Sequence, residues 1–289
     1  MNAVRVDWID RKEALYNVPF KVLGKNLCAK EFGGEMASGV ALVNGDTSYD
    51  LKIESINPYC IEAVVPENVP VGRYTVAVTN DGNVWDVAND LTDGITEIEV
   101  AGNVTDPLNL KMAWANRFVW DNVIDVTKAP YNVARDGMTD CSAAVQKAID
   151  DAKAAGGGMV YLPKGVYKIK HIALPSKVTL VGDGMENTTI LYINNDPEDK
   201  RVLIDTKDDG ATDGIIGIAD FTIKVPEGNM IPRAFVWLGE VWGDNYYSRS
   251  LRTAKYIFMK GIRQDIPVDL PDDKAAKGGS GAILFADSD

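Results

Sequence analysis

Through the first hundred residues, polarity changes in short runs separated by turn formers. Phe20–Leu23, Val40–Val43, Leu51–Ile53, Ile61–Val65, Tyr74–Val78 and Ile95–Val100 are apolar or alternating stretches of strand length. Runs of this size and spacing predict a small β-sandwich over residues 1–100. The period then changes once. Ala144, Val145, Ala148, Ile149 and Ala152 recur at three- and four-residue spacing, which predicts one amphipathic helix over residues 141–155. Thr139 or Asp140 stands where a side-chain oxygen caps its first N–H groups. Gly156, Gly157 and Gly158 end it, because helices commonly close on a left-handed residue that glycine adopts without strain. Period two returns with Val160 and Leu162 opposite Tyr161 and persists. Val178–Val181, Ile190–Ile193, Val202–Ile204, Phe221–Val225, Ala234–Leu238, Tyr256–Met259 and Ile283–Phe285 follow with no second helical pattern. Between the two regions, Ala101–Asp125 has neither period and carries Trp114, Phe118 and Trp120. Linkers are poor in aromatics, so residues 101–125 are expected to pack between the domains and fix their interface. The other reading makes Trp114 and Trp120 a sugar-stacking face.

Between Tyr131 and Ile169 a longer order is visible: Asp136-Gly137-Met138-Thr139-Asp140, Ala144-Val145-Gln146-Lys147-Ala148-Ile149, Gly157-Gly158-Met159-Val160-Tyr161-Leu162-Pro163 and Gly165-Val166-Tyr167. This stretch resembles the opening of right-handed parallel β-helix proteins of the pectate-lyase-like superfamily. Tyr131-Asn132-Val133 replaces the usual aromatic-Gly-Ala entry, and Cys141 stands where a second acid is usual. Gly182-Asp183-Gly184 and Gly217–Ile223 are similar to successive coils of the same superfamily. The resemblance implies that the helix plugs the open end of the coil and hides strand edges that would recruit another chain. Asp136 and Asp140 are then parts of a cap rather than of a reaction centre. Three or four coils fit after it across residues 126–289, and no closing cap follows Phe285, so the pattern is expected to be the N-terminal part of a longer solenoid. In the first domain, Phe20–Leu27 and Val69–Asn80 resemble strands of immunoglobulin-like IPT/TIG domains, with Gly24 and Asn26 in a positive-φ turn and Pro70 and Gly72 at a corner. The expected fold is mainly β: an Ig-like β-sandwich followed by the capped first coils of a right-handed parallel β-helix.

Charge narrows the partners. A formal net charge of -12 repels nucleic acid and anionic membrane surfaces, and no window approaches the roughly twenty apolar residues of a membrane span. The first residues lack the apolar core of a signal peptide, which suggests a mature or excised segment. The three cysteines, Cys28, Cys60 and Cys141, are too scattered for a zinc site. Cys28 and Cys60 either pair across neighbouring strands or stay buried thiols. Cys141 falls in a helix's first turn, where a thiolate is favoured, with no catalytic partner nearby in sequence.

Three groups of residues suit polysaccharide chemistry. Asp287 and Asp289 share a face if their strand stays extended, and two such carboxylates divide into acid and base or acid and nucleophile. Asp205, Asp208, Asp209 and Asp213 offer hard oxygen ligands to calcium, or form an exposed loop with Gly210 and Gly214. Trp237, Trp242, Tyr246, Tyr247 and Arg249, with Phe235, Glu240, Asp244 and Asn245, combine aromatic faces with polar groups that match a pyranose. His171 is the chain's sole histidine and reads as a surface residue. By resemblance, the parent protein is expected to be a secreted bacterial polysaccharide lyase or glycoside hydrolase, extracellular or at the cell surface, with most of its active site beyond this chain. The rival class is a non-catalytic glycan-binding scaffold of the tailspike or adhesin kind.

Overall fold

The computed structural model describes residues 3–28, 38–82, 85–87, 97–193, 202–207, 209–211, 214–227, 229, 232, 234–238, 240–242, 249–252, 254–266 and 282–285. The chain divides into two compact units, Met1–Asn116 and Arg117–Asp289.

The first unit holds β1 (Arg5–Ile9), β2 (Glu13–Leu15), β3 (Pro19–Lys25), β4 (Gly39–Asn44), β5 (Thr47–Asp50), β6 (Lys52–Asn57), β7 (Cys60–Val64), β8 (Gly72–Thr79), β9 (Trp85–Val87) and β10 (Glu97–Gly102). One sheet runs β1-β3-β7-β6, and the other β2-β10-β8-β4-β5, with β9 on β8. Alternation explains the closure. Ile9, Phe20, Val22 and Ile61 from one sheet share a single apolar core with Val40, Leu42, Val76, Val78 and Ile98 from the other. Asn26 takes the expected left-handed turn at φ 56°. Gly24 has a different role, because it lies inside β3 where any Cβ would collide with the Arg5 carbonyl oxygen. Cys28 and Cys60 are free, half-buried thiols.

In the second unit, β11 (Val123–Asp125) and β12 (Asp136–Asp140) precede one helix, α1 (Ser142–Ala154). Four coils follow. They comprise β13 (Gly158–Leu162), β14 (Gly165–Ile169) and β15 (Ile172–Leu174), then β16 (Val178–Gly182), β17 (Thr188–Tyr192) and β18 (Ile204–Thr206). The third has β19 (Gly214–Lys224) and β20 (Ala234–Leu238), with a hairpin of β21 (Glu240–Trp242) and β22 (Arg249–Arg252) after it. The fourth has β23 (Ala254–Asp265) and β24 (Ala282–Phe285). Every coil pairs in parallel with the next. The first face stacks β11, β13, β16, β19 and β23, the second β12, β14, β17, β19 and β23, and the third β15, β18, β20 and β24. The long β19 serves two faces by bending at Asp220, whose φ of 63° suits an Asp better than most residues. Inside lie Val160, Leu180 and Ile218 from the first face, Tyr167, Ile190 and Ile223 from the second, and Leu174, Ile204 and Val236 from the third.

The helix closes this core as expected, with Val145, Ala148, Ile149 and Ala152 fully buried in it. Its Ncap is Cys141, with no side-chain cap; Asp140, one residue earlier, accepts hydrogen bonds from the Ser142 N–H and hydroxyl. Gly157 carries the expected C-terminal reversal at φ 125°, its N–H bonded to the Ala152 carbonyl. Strand edges of the first coil are covered in two ways. On the capped side, β13 pairs with β11 and β14 with β12, whereas β15 is the end strand of its sheet. There the Gln146 amide stands in for a strand: Oε1 accepts from the Ala173 N–H at 2.8 Å and Nε2 donates to the Ala173 carbonyl at 3.1 Å.

A five-residue turn recurs in both units. Pro70-Val71-Gly72-Arg73-Tyr74 and Pro163-Lys164-Gly165-Val166-Tyr167 each run into a strand, and each tyrosine hydroxyl donates back to the proline carbonyl, at 2.8 and 2.6 Å. Both rings are buried, and burial pushes both phenols up from their ordinary range.

Candidate functional site

Parallel register converts residues far apart in sequence into columns. On the third face, Ala173 stands beside Asp205, and Asp205 beside Trp237, while the residues flanking each are buried. These three side chains therefore share the outer surface, one coil apart, at about 4.8 Å spacing. His171 lies two residues before Ala173 and shares its side of the chain; its Nε2 is 3.1 Å from Asp205 Oδ1. That oxygen is sealed from solvent, and the imidazole approaches at ion-pair distance without aiming a hydrogen bond at it. The β21–β22 hairpin, in which Trp242 faces Arg249 and Glu240 faces Arg252 in the backbone register, has its first strand against β18.

Further along the same face runs a groove of about 380 Å³ lined by Asp150, Lys153, Ala154, Pro175, Lys207 and Asp209. Lys207 Nζ reaches Asp150 at 2.7 Å, and Lys153 pairs with Asp209. Asp209 also accepts from the Ser176 and Ala211 N–H groups. Burial works to raise the Asp209 pKa, but Lys153 and these N–H donors outweigh it and hold it below the ordinary carboxylate range. Both ion pairs tie α1 to the second coil.

The first face is closed on its outside. Phe118 stacks on Trp120 with ring centres 5.1 Å apart, and Phe258 meets Phe118 edge-on at 5.1 Å. Gly217 makes room for the Phe258 ring, which any Cβ there would strike. Arg117 lies over the Tyr256 ring at 4.6 Å. Trp120, at 7% exposure, is thus unavailable as a sugar-stacking face; its ring is used in covering the solenoid.

Other candidates resolve differently. Asp136 accepts from the Met138 and Thr139 N–H groups, which lower its pKa, and Asp140 holds the helix start and Lys170, so both serve the cap. Burial pushes the Cys141 thiol up rather than favouring a thiolate, and its Sγ lies 3.2 Å from the Ala134 and Thr139 carbonyls. Of the acidic cluster, Asp205 lies against His171 and Asp209 pairs with Lys153, and no group of three metal-ligating side chains occurs among the described residues. Asp208 and Asp213 lie outside the described residues, as do Asp244, Asn245, Tyr246, Tyr247, Asp287 and Asp289. The contact of His171 with Asp205 was not legible in the sequence, because nothing near either residue announces the other as its neighbour.

Strand order and register define the second unit as a parallel β-helix, and residues 123–231 match the family model described as rhamnogalacturonase A/epimerase, pectate lyase-like. The mannuronan C5-epimerase AlgE5 of Azotobacter vinelandii is 29% identical over 137 residues, 44% of this chain and 14% of that protein. Alginate lyase 7 of the same organism is 36% identical over 102 residues, 32% of this chain and 12% of that protein. Among solved structures, the A-module of A. vinelandii mannuronan C-5 epimerase AlgE4 is similar over 50% of this chain and 38% of that one, at 24% identity and a TM-score of 0.40. The matched stretch thus spans only 12% to 14% of the length of these two curated relatives, which are carbohydrate-active enzymes.

Proposed function

We propose that this chain forms the helix-capped opening coils of a secreted carbohydrate-active enzyme acting on a polysaccharide, preceded by an Ig-like sandwich of the IPT/TIG kind. The observation that carries this reading is the family match over residues 123–231, which coincides with the capped coils. Relatives named as an alginate lyase and as mannuronan C5-epimerases favour lyase-type chemistry over hydrolysis. Elimination and epimerisation of a uronate share a first step, removal of the proton beside the carboxylate, so both need a base held within hydrogen-bond reach of that carbon. Asp287 and Asp289 are the proposed carboxylates of that chemistry, and Trp242, Tyr246, Tyr247 and Arg249 the proposed sugar contacts.

The test is incubation of the chain with neutral and acidic polysaccharides, with and without calcium. Unsaturated ends report elimination, new reducing ends without matching unsaturation report hydrolysis, and proton exchange at C5 without chain cleavage reports epimerisation. Because the matched stretch is a small part of its relatives, the expected result is saccharide binding with little turnover. Turnover lost on Asp287→Asn or Asp289→Asn assigns the chemistry to this chain. Binding with no turnover, even by a protein extended through the relatives' full length, favours the glycan-binding scaffold. Neither binding nor turnover on any polysaccharide overturns the carbohydrate reading.

A further inference from the structure

We propose that His171, Asp205 and Trp237 form a saccharide subsite on the outer face of the third sheet, taking the hydroxyl-bearing ring of one pyranose in a polysaccharide chain. This rests on the carbohydrate reading above and adds where the chain is held. Three observations carry it. Asp205 and Trp237 are cross-strand neighbours in rigid, register-locked strands, so an aromatic plate and a carboxylate are presented together with little freedom to diverge. Asp205 and His171 stand 3.1 Å apart with side chains 16% and 29% exposed, so an imidazole and the edge of a carboxylate reach the same stretch of surface. Finally, Ala173, level with Asp205 in the neighbouring strand, adds only a methyl group to the column.

These groups match a sugar ring. The apolar C–H face of a pyranose packs against an indole, while its rim of hydroxyls donates to a carboxylate and exchanges hydrogen bonds with an imidazole. The ion pairs Lys207–Asp150 and Lys153–Asp209 already fasten the cap to the second coil. The His171–Asp205 contact is therefore not required for that task. With the acid at its centre, the subsite reads hydroxyls rather than the carboxylate of a uronate, because a second carboxylate beside Asp205 is repelled.

The chain's single histidine makes the test direct. Oligomers of mannuronate, galacturonate and glucose are titrated into the full chain while calorimetry measures affinity and NMR follows the His171 imidazole and the tryptophan indoles. The expected result is saturable movement of the His171 signals with at least one oligomer. Trp237→Ala should weaken that oligomer at least tenfold and Asp205→Asn about fivefold, while Trp237→Phe, which keeps a ring, retains most of the affinity. If a variant fails to fold, the wild-type imidazole shifts still decide. Binding seen by calorimetry with unmoved His171 signals, or with unchanged affinity in folded variants, overturns the subsite and leaves the carbohydrate reading standing. Absence of binding by every oligomer overturns the subsite, and the polysaccharide panel then decides separately whether the broader reading falls with it.

Discussion

Replacing Gln146 with alanine removes the one side chain that stands in for a missing strand. Both backbone groups of Ala173 lose their partner on the capped side, together with the Gln146–Asp150 contact at 3.1 Å. Two such hydrogen bonds contribute about 1–3 kcal/mol net. Against that, alanine has the better helix propensity by a few tenths of a kcal/mol and about 1 kcal/mol less side-chain entropy to lose. The expected net cost therefore lies between about zero and 2 kcal/mol, seen as a fall of up to about 6 °C in the melting of the second unit. Hydrogen exchange should locate it, with the Ala173 amide losing protection while amides of β16 and β19 keep theirs. Gln146→Glu sharpens the test. Glutamate still accepts from the Ala173 N–H, but it turns a charged oxygen toward the Ala173 carbonyl and Asp150, so at neutral pH it should be worse than alanine and should recover as the carboxyl protonates below about pH 4–5. An unchanged Ala173 exchange rate in Gln146→Ala, or Glu matching Gln at pH 7, would refute the edge-blocking argument.

Tyr167→Phe should cost about 1–2 kcal/mol by removing the bond to the Pro163 carbonyl, measured by urea unfolding of the second unit; no loss would mean that the Thr188 hydroxyl, 3.4 Å from the same oxygen, suffices. Asp209 titrates below the ordinary range, so its contribution is complete above an unfolded value of about 3.9 and is lost as pH falls through the lower folded value. Unfolding between pH 2 and 5, on the order of that window, should show a steeper loss in the wild type than in Asp209→Asn, and parallel profiles would count against the Lys153–Asp209 clamp.

What could be read in the sequence was what acts over a few residues. Val145, Ala148, Ile149 and Ala152 announce a helix face because their spacing is the helix's own period, and Gly157 announces its end because few other residues reach its conformation. The alternation in β13 likewise fixes which side of Val160 and Tyr161 meets the core. Asp140 was legible as a helix-start residue, although the boundary falls one position later than its side chain implies. Gly24 was misread because its reason, a collision with Arg5, comes from the partner strand. Trp120 was ambiguous for the same cause: only the position of Phe258 shows that its ring is covered.

The third-face column shows where local reading ends and why. Ala173, Asp205 and Trp237 are evenly spaced along the chain, so a fixed repeat would have found them, but the first face does not keep that spacing. Loops of unequal length enter at different corners of successive coils, and each insertion resets the count for the face that follows while leaving hydrogen-bond register intact. Stability therefore depends on register, which the strands enforce, whereas the chemistry of an outer face depends on which residues register brings level. His171 and Asp205 meet because one coil returns β18 beside β15, and neither residue's neighbours in sequence carry that information. A solenoid can thus keep its cap, core and turns while its outer columns vary residue by residue. The capped coils consequently argue for the fold, and only the columns of His171, Asp205 and Trp237, tested by ligand, bear on what this face recognises.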